Sequence, residues 1–173
     1  MKWSAVLGAC CGLTLVVGCG EEAFPGSAPT LDSLGRGVLE AFQEGDREAL
    51  AAFLLSEDEH NDVIWPELPA AQGESPYPVD LAWQNIELRN QRSIPRASQA
   101  LERAVPRAFD SVVCEGETRA FETFSVQTDC YTRFTYDGTL YRVQLFKDVL
   151  VRNGGYKIFR YYDEDPERVV GGA

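Results

Sequence analysis

The chain has 173 residues and a formal net charge of −11, with 27 acidic against 16 basic side chains and a lone histidine. That length suffices for one domain with a real core. The charge gains nothing from phosphate backbones and is repelled by anionic headgroups, which excludes nucleic acid as a partner and electrostatic adsorption as a route to a membrane.

Lys2 followed by the uncharged apolar run Trp3 to Val17 has the form of a secretory leader. The run is shorter than the roughly 20 apolar residues a spanning helix needs. It ends in Val16-Val17-Gly18-Cys19, which resembles the bacterial lipobox, although valine stands where leucine is more usual. The resemblance implies a diacylglyceryl group on Cys19, cleavage after Gly18 and acylation, by palmitate or a similar chain, of the new amino terminus. The alternative is an ordinary secretory leader with incidental cysteines. Acyl chains contribute about 0.8 kcal/mol per buried methylene, and two or more anchor stably. Residues 1–18 are thus expected to be a lipoprotein signal peptide, and residues 19–30, rich in small residues and proline, a lipidated flexible tether. The expected location is the bacterial cell envelope, membrane-bound through Cys19, with Gly20 rather than Asp favouring the outer membrane. Cleavage removes Lys2 and none of the acidic residues, so the mature charge is −12.

Cleavage also removes Cys10 and Cys11. With Cys19 lipidated, Cys114 and Cys130 remain as a pair. In an oxidising compartment they are expected to form a disulfide; two separately buried thiols are the alternative.

From Leu31 the spacing becomes helical, with Leu31, Leu34, Val38, Leu39 and Phe42 on one face and Thr30 or Asp32 as cap. Gly45 stops this helix and Asp46 caps a second, Arg47 to Leu55. Ser56 with Glu59 forms a capping box for a third, short helix ending at Ile64. Residues 66–79 hold four prolines and a glycine and read as an ordered loop. Asp80 is expected to cap a helix carrying Leu81, Trp83 and Ile86, which Pro95 interrupts before a further helix to about Val105. After Pro106 the period falls to two. Strands are expected at Phe109 to Glu115, Cys130 to Tyr136, Leu140 to Val151 and Tyr156 to Tyr162, with Asp137-Gly138 and Asn153-Gly154-Gly155 as turns. Helices first and an antiparallel meander after define an α+β domain over residues 31–165, followed by a frayed tail, 166–173.

The segment Gly37-Val38-Leu39-Glu40-Ala41-Phe42-Gln43-Glu44-Gly45-Asp46-Arg47-Glu48-Ala49-Leu50-Ala51-Ala52-Phe53-Leu54 resembles the opening of nuclear transport factor 2-like domains, and the hairpin Tyr141 to Tyr162 is similar to their end. The middle, with Val63-Ile64-Trp65-Pro66-Glu67-Leu68-Pro69 and Val79-Asp80-Leu81-Ala82-Trp83, resembles uncharacterised bacterial envelope proteins sharing a Trp-Pro-Glu-Leu-Pro stretch. The first resemblance implies a cone-like, curved antiparallel sheet of about four strands wrapped by helices, often with a pocket at its mouth. It implies no activity, because that fold hosts enzymes and binding modules alike.

His60 is the one candidate for acid–base catalysis, since the neighbouring carboxylates Glu57, Asp58, Glu59 and Asp62 could orient it. The acidic segment nevertheless reads as a solvated helix face. Asp58 and Asp62, and equally Asp163-Glu164-Asp165 with Glu167, lack the glycine-turned loop that calcium sites use, so no metal is expected. Trp65, Tyr77 and Trp83 surround the proline-rich loop, either as a ligand or partner surface or as anchors for the loop. No Walker loop, Rossmann glycines, Gly-x-Ser-x-Gly or His-Glu-x-x-His occurs, and no cofactor is implied. The expected function is a lipid-anchored, non-enzymatic binding or accessory domain for a protein partner or a small apolar ligand. The alternative is a small envelope enzyme of isomerase, dehydratase or cyclase type that uses the cone cavity.

Overall fold

The computed structural model describes residues 22–103 and 107–169; the expected signal peptide and Cys19 lie outside them. Helix α1 (Leu31–Glu44) starts at Thr30, whose hydroxyl accepts the Ser33 N–H while the Ser33 hydroxyl accepts the Thr30 N–H, both at 3.0 Å. It ends at Gly45, whose φ of 70° is the left-handed conformation that glycine adopts without strain. Helix α2 (Arg47–Ala52) is capped by Asp46, which accepts the Ala49 N–H at 3.0 Å. Leu34, Val38, Leu39 and Phe42 are buried as their spacing predicts.

Helix α3 (Val79–Leu101) corrects two expectations. It begins after Pro78, so Asp80 sits in the first turn rather than at the cap. It also runs through Pro95 without interruption. An interior proline costs about 3 kcal/mol. Here Ala97 and Leu101, beyond the proline, are almost fully buried in the core, and their packing holds the helix together. Pro95 and Gln91, whose carbonyl loses its partner, are both exposed, so water can satisfy that carbonyl.

Strands β1 (Ala108–Cys114), β4 (Cys130–Tyr136), β5 (Thr139–Val143) and β8 (Glu167–Arg168) form one antiparallel sheet, ordered β1-β4-β5-β8. Strands β2 (Thr118–Ala120), β3 (Ser125–Gln127), β6 (Val149–Arg152) and β7 (Gly155–Ile158) form a second, ordered β2-β3-β6-β7. The fold is therefore α+β, with two four-stranded sheets where about four strands in all were expected. The expected strand Leu140 to Val151 breaks at Gln144, and buried Gln144, Leu145 and Phe146 carry the chain from the first sheet to the second. At three residues each, β2 and β3 are too short to show a period. The two hairpin turns place Asp137 and Gly138 at φ 47° and 68°, and Asn153 and Gly154 at 47° and 77°, as type I′ turns require.

The main core gathers α1, the end of α3 and both sheets around Phe134, Leu145, Phe146 and Tyr161, each 0% exposed. The Tyr161 hydroxyl donates to the Leu50 carbonyl at 2.8 Å, tying α2 to the sheet. A second cluster joins Phe24, Leu55, Ile64, Phe124 and Leu150. Both ends of the domain extend past their expected limits. Phe24 is 2% exposed, and Ala28 pairs with Tyr156, so the last part of the expected tether packs against the fold. In the expected tail, Glu167 pairs with Arg142 and Arg168 with Tyr141. Cys114 and Cys130 face each other across β1 and β4 and form a disulfide.

Candidate functional site

The site is built where the chain leaves α2 and runs along the edge of β7. Ile158 donates to the Phe53 carbonyl at 3.0 Å and accepts from the Leu55 N–H at 3.1 Å. The capping box follows: the Glu59 N–H donates to Ser56 Oγ at 3.2 Å and the Ser56 N–H to Glu59 Oε2 at 2.7 Å. A π-helical turn, Glu59–Ile64, then replaces the α-helix that the spacing predicted. Its wider turn brings Glu59 and His60 inward while Glu57, Asp58 and Asp62 stay exposed.

Glu59 meets Lys157 of β7, whose ammonium lies 2.8 Å from both carboxylate oxygens. The two side chains are only 10% and 6% exposed. His60 is 0% exposed, which corrects its reading as part of a solvated face. The sheet and α3 close over it: its ring centroid lies 5.6 Å from Trp65, 5.4 Å from Trp83 and 5.7 Å from Phe159.

The protonation of His60 follows from its partner. Nδ1 lies 2.7 Å from Asn61 Oδ1, and a carboxamide oxygen can only accept, so Nδ1 carries the proton. Burial lowers the pKa of the ring below the usual histidine value, against the Asn61 hydrogen bond and the charge of Glu57, which raise it. In the neutral ring Nε2 then holds a bare lone pair. Nε2 is buried, and no protein donor among the described residues reaches it. A desolvated acceptor left in that state costs roughly 1–3 kcal/mol.

His60 lines a surface cleft of about 310 Å³ with Trp65, Leu68, Tyr77, Ile86 and Phe159. Tyr77 is 47% exposed, and its ring centroid lies 6.4 Å from Trp65. Arg89 and Arg160 line the same cleft. The structure thus brings Trp65, Tyr77 and His60 together at one surface. Trp83 packs on His60 but borders a different cleft, between α2 and α3, of about 520 Å³. That space is larger, yet its buried polar residue, Asn90, already accepts the Tyr161 N–H at 2.8 Å. The smaller cleft is the better candidate because aromatic side chains wall it and the buried His60 borders it.

Lys157, Arg89 and Arg160 escaped the sequence reading. A lysine inside the apolar stretch Tyr156-Lys157-Ile158-Phe159 was the one available signal, since a charge placed there needs a buried partner. A third space, of about 180 Å³, is lined by Phe121, Phe124, Leu150 and Asp148. Burial pushes the Asp148 carboxyl up, with Lys147 and Arg160 opposing.

Among the described residues no helix is long and apolar enough to cross a membrane. Among them, too, no group of three or more His, Cys, Asp or Glu is placed to hold a metal ion. Fold and site together define an α+β domain with two antiparallel sheets and an aromatic-walled cleft above a buried histidine. Comparison of the chain with protein-family models, with curated proteins and with solved structures returned no match.

Proposed function

We propose that this chain is a lipid-anchored binding domain of the bacterial cell envelope, and that it takes a small apolar ligand in the cleft above His60. The observation that carries the reading is the cleft itself. Its volume of about 310 Å³ lies at the lower end of the range that small-molecule sites occupy, and such sites combine apolar and aromatic walls with a few placed polar groups. The nuclear transport factor 2-like class, with its cone-like sheet, belongs to the same reading. It is supported by the order of α1, the Gly45-Asp46 break, α2 and the antiparallel strands that follow. The leader and Val16-Val17-Gly18-Cys19 support the anchor.

Two measurements test the two parts. Cys19→Ser is expected to move the protein from the membrane fraction to the soluble fraction of a producing bacterium; a variant that stays membrane-bound would remove the anchor from the reading. Isothermal titration of the full chain in detergent with 2-naphthoate is expected to show one saturable site. Trp65→Ala is expected to weaken it about tenfold, the loss of roughly 1.4 kcal/mol that one aromatic wall supplies. Equal titrations of the two proteins would show that the cleft is not the binding site.

One observation favours the second reading, a small enzyme of isomerase, dehydratase or cyclase type. A histidine whose Nδ1–H is held by Asn61 presents Nε2 as a general base would. Turnover of a bound compound by the native chain and not by His60→Ala would bring that reading forward.

A further inference from the structure

We infer that the domain turns one end toward the bilayer that holds its acyl groups, the end where the β6–β7 turn and the β2–β3 loop gather around Phe24. The inference rests on the reading of Cys19 as the lipid anchor and names the surface that the anchor brings to the lipid.

Residues 19–30 were expected to form the tether, but the fold claims most of that length. Phe24 is 2% exposed and belongs to the cluster with Leu55, Ile64, Phe124 and Leu150. The Ser27 N–H donates to the Phe24 carbonyl at 3.1 Å, and Ala28 and Tyr156 exchange both backbone hydrogen bonds, at 3.0 and 2.9 Å. The chain is thus held from Phe24 onward, and only Gly20-Glu21-Glu22-Ala23 separate it from Cys19. From Cys19 to Phe24 the backbone reaches at most about 18 Å. A domain of about 150 residues has a radius of gyration of about 15 Å and is roughly 38 Å across. A leash shorter than half that width plus the lipid interface keeps the attached end near the bilayer and the far end away from it.

The strand register shows which end is attached. The guanidinium carbon of Arg152 stands 5.7 Å from the Phe24 ring centroid, and a Cβ added to Gly155 would stand 3.0 Å from that of Ala23. Arg152 and Gly155 flank the β6–β7 turn. Ser125 pairs with both Ala120 and Val151, so the β2–β3 loop, 121–124, lies at the same end of the second sheet. Its Phe124 shares the cluster of Phe24. The same pairing sets the far end. β3 pairs with β6 and β4 with β5, so the run from Ser125 to Tyr136 lies along the run from Thr139 to Arg152. The turn Asp137-Gly138 closes that ribbon about eleven residues from Ser125, roughly 36 Å along the chain. Exposed Asp165 lines a surface space with Tyr136 and Tyr141 beside that turn. The His60 cleft lies toward the lipid, since Leu68 and Phe159 line it and also pack against the cluster of Phe24.

Fluorescence quenching tests the inference on the full lipidated chain, purified from a producing bacterium and reconstituted in phosphatidylcholine vesicles. A fluorophore is placed on Glu122→Cys, in the β2–β3 loop, or on Asp165→Cys, at the far end; both positions are exposed. The quencher is a nitroxide carried on the lipid headgroup. Quenching at position 122 is expected to be severalfold stronger than at position 165. A flexible insert of about twenty Gly and Ser residues between Glu21 and Glu22 adds about 22–27 Å of mean reach and is expected to bring the two positions close to equal. Equal quenching without the insert, or a difference that survives the insert, would overturn the inference. In either case, flotation of the chain with the vesicles would leave the anchor reading standing. A chain that does not float with the vesicles would overturn both.

Discussion

Lys157→Met is expected to destabilise the domain by about 3–5 kcal/mol in urea denaturation. The Lys157 ammonium lies 2.8 Å from both Glu59 oxygens, with almost no solvent on either side chain. Removing the lysine leaves a buried carboxylate without a cation, held only by the Ser56 N–H, and this residual charge is the larger part of the loss. The Glu59→Gln, Lys157→Met double variant is therefore expected to be more stable than Lys157→Met alone, because it removes the stranded charge with the pair. The effect reaches the site, since Glu59 also closes the capping box with Ser56 and precedes His60 in the π-helical turn. The pair is the electrostatic bolt between that turn and β7. A cost below about 1 kcal/mol for Lys157→Met would put the pair in the class of solvated surface bridges and remove it as the fastener of the site.

Replacing Cys114 and Cys130 together by serine is expected to cost about 3 kcal/mol, the loop entropy released when a closed loop of about 15 residues is opened in the unfolded chain. The native disulfide spans 16 positions and joins residues that already face each other across β1 and β4. Its effect is thus chiefly on the unfolded state. For a domain of this length the loss corresponds to a fall of roughly 6–12 °C in Tm. Adding a reductant to the native chain is expected to give the same fall and to leave the double serine variant unchanged. A midpoint indifferent to reductant would mean that strand pairing alone sets the stability there.

Much of the scaffold was legible because it is written in local rules. Thr30, Gly45 and Asp46 mark helix ends through caps whose partners lie within four residues. Asp137-Gly138 and Asn153-Gly154 supply the positive φ that a type I′ turn needs. Ser56 and Glu59 make the predicted box. The errors fall where a distant group overrules the local one. Pro95 is tolerated because Ala97 and Leu101 are buried beyond it. The run Leu140 to Val151 alternates as one strand would, yet it changes sheets at Gln144 to Phe146, where Phe146 meets Tyr161.

The candidate site was legible only in part, for the same reason. The sequence placed Trp65, Tyr77 and Trp83 around one loop but gave His60 to solvent, because the other five residues from Glu57 to Asp62 are all polar or acidic. Helical periodicity assumes 3.6 residues per turn, and the π-helical turn departs from it. Arg89 on α3 and Phe159 and Arg160 after β7 come from positions far along the chain.

By itself, then, the sequence determined the acidic charge, the α+β order of elements, the helix ends at Gly45, Asp46 and Ser56, the hairpin turns and the cysteine pair, all of which depend on composition or on neighbours a few residues apart. Only the tertiary structure decided that there are two sheets, that Glu59 has a lysine to face, and that His60 is buried beneath a cleft with an unmet lone pair. Burial and partnership depend on what folds back from about a hundred residues away, as Lys157 does onto Glu59, and no local pattern in the chain encodes that.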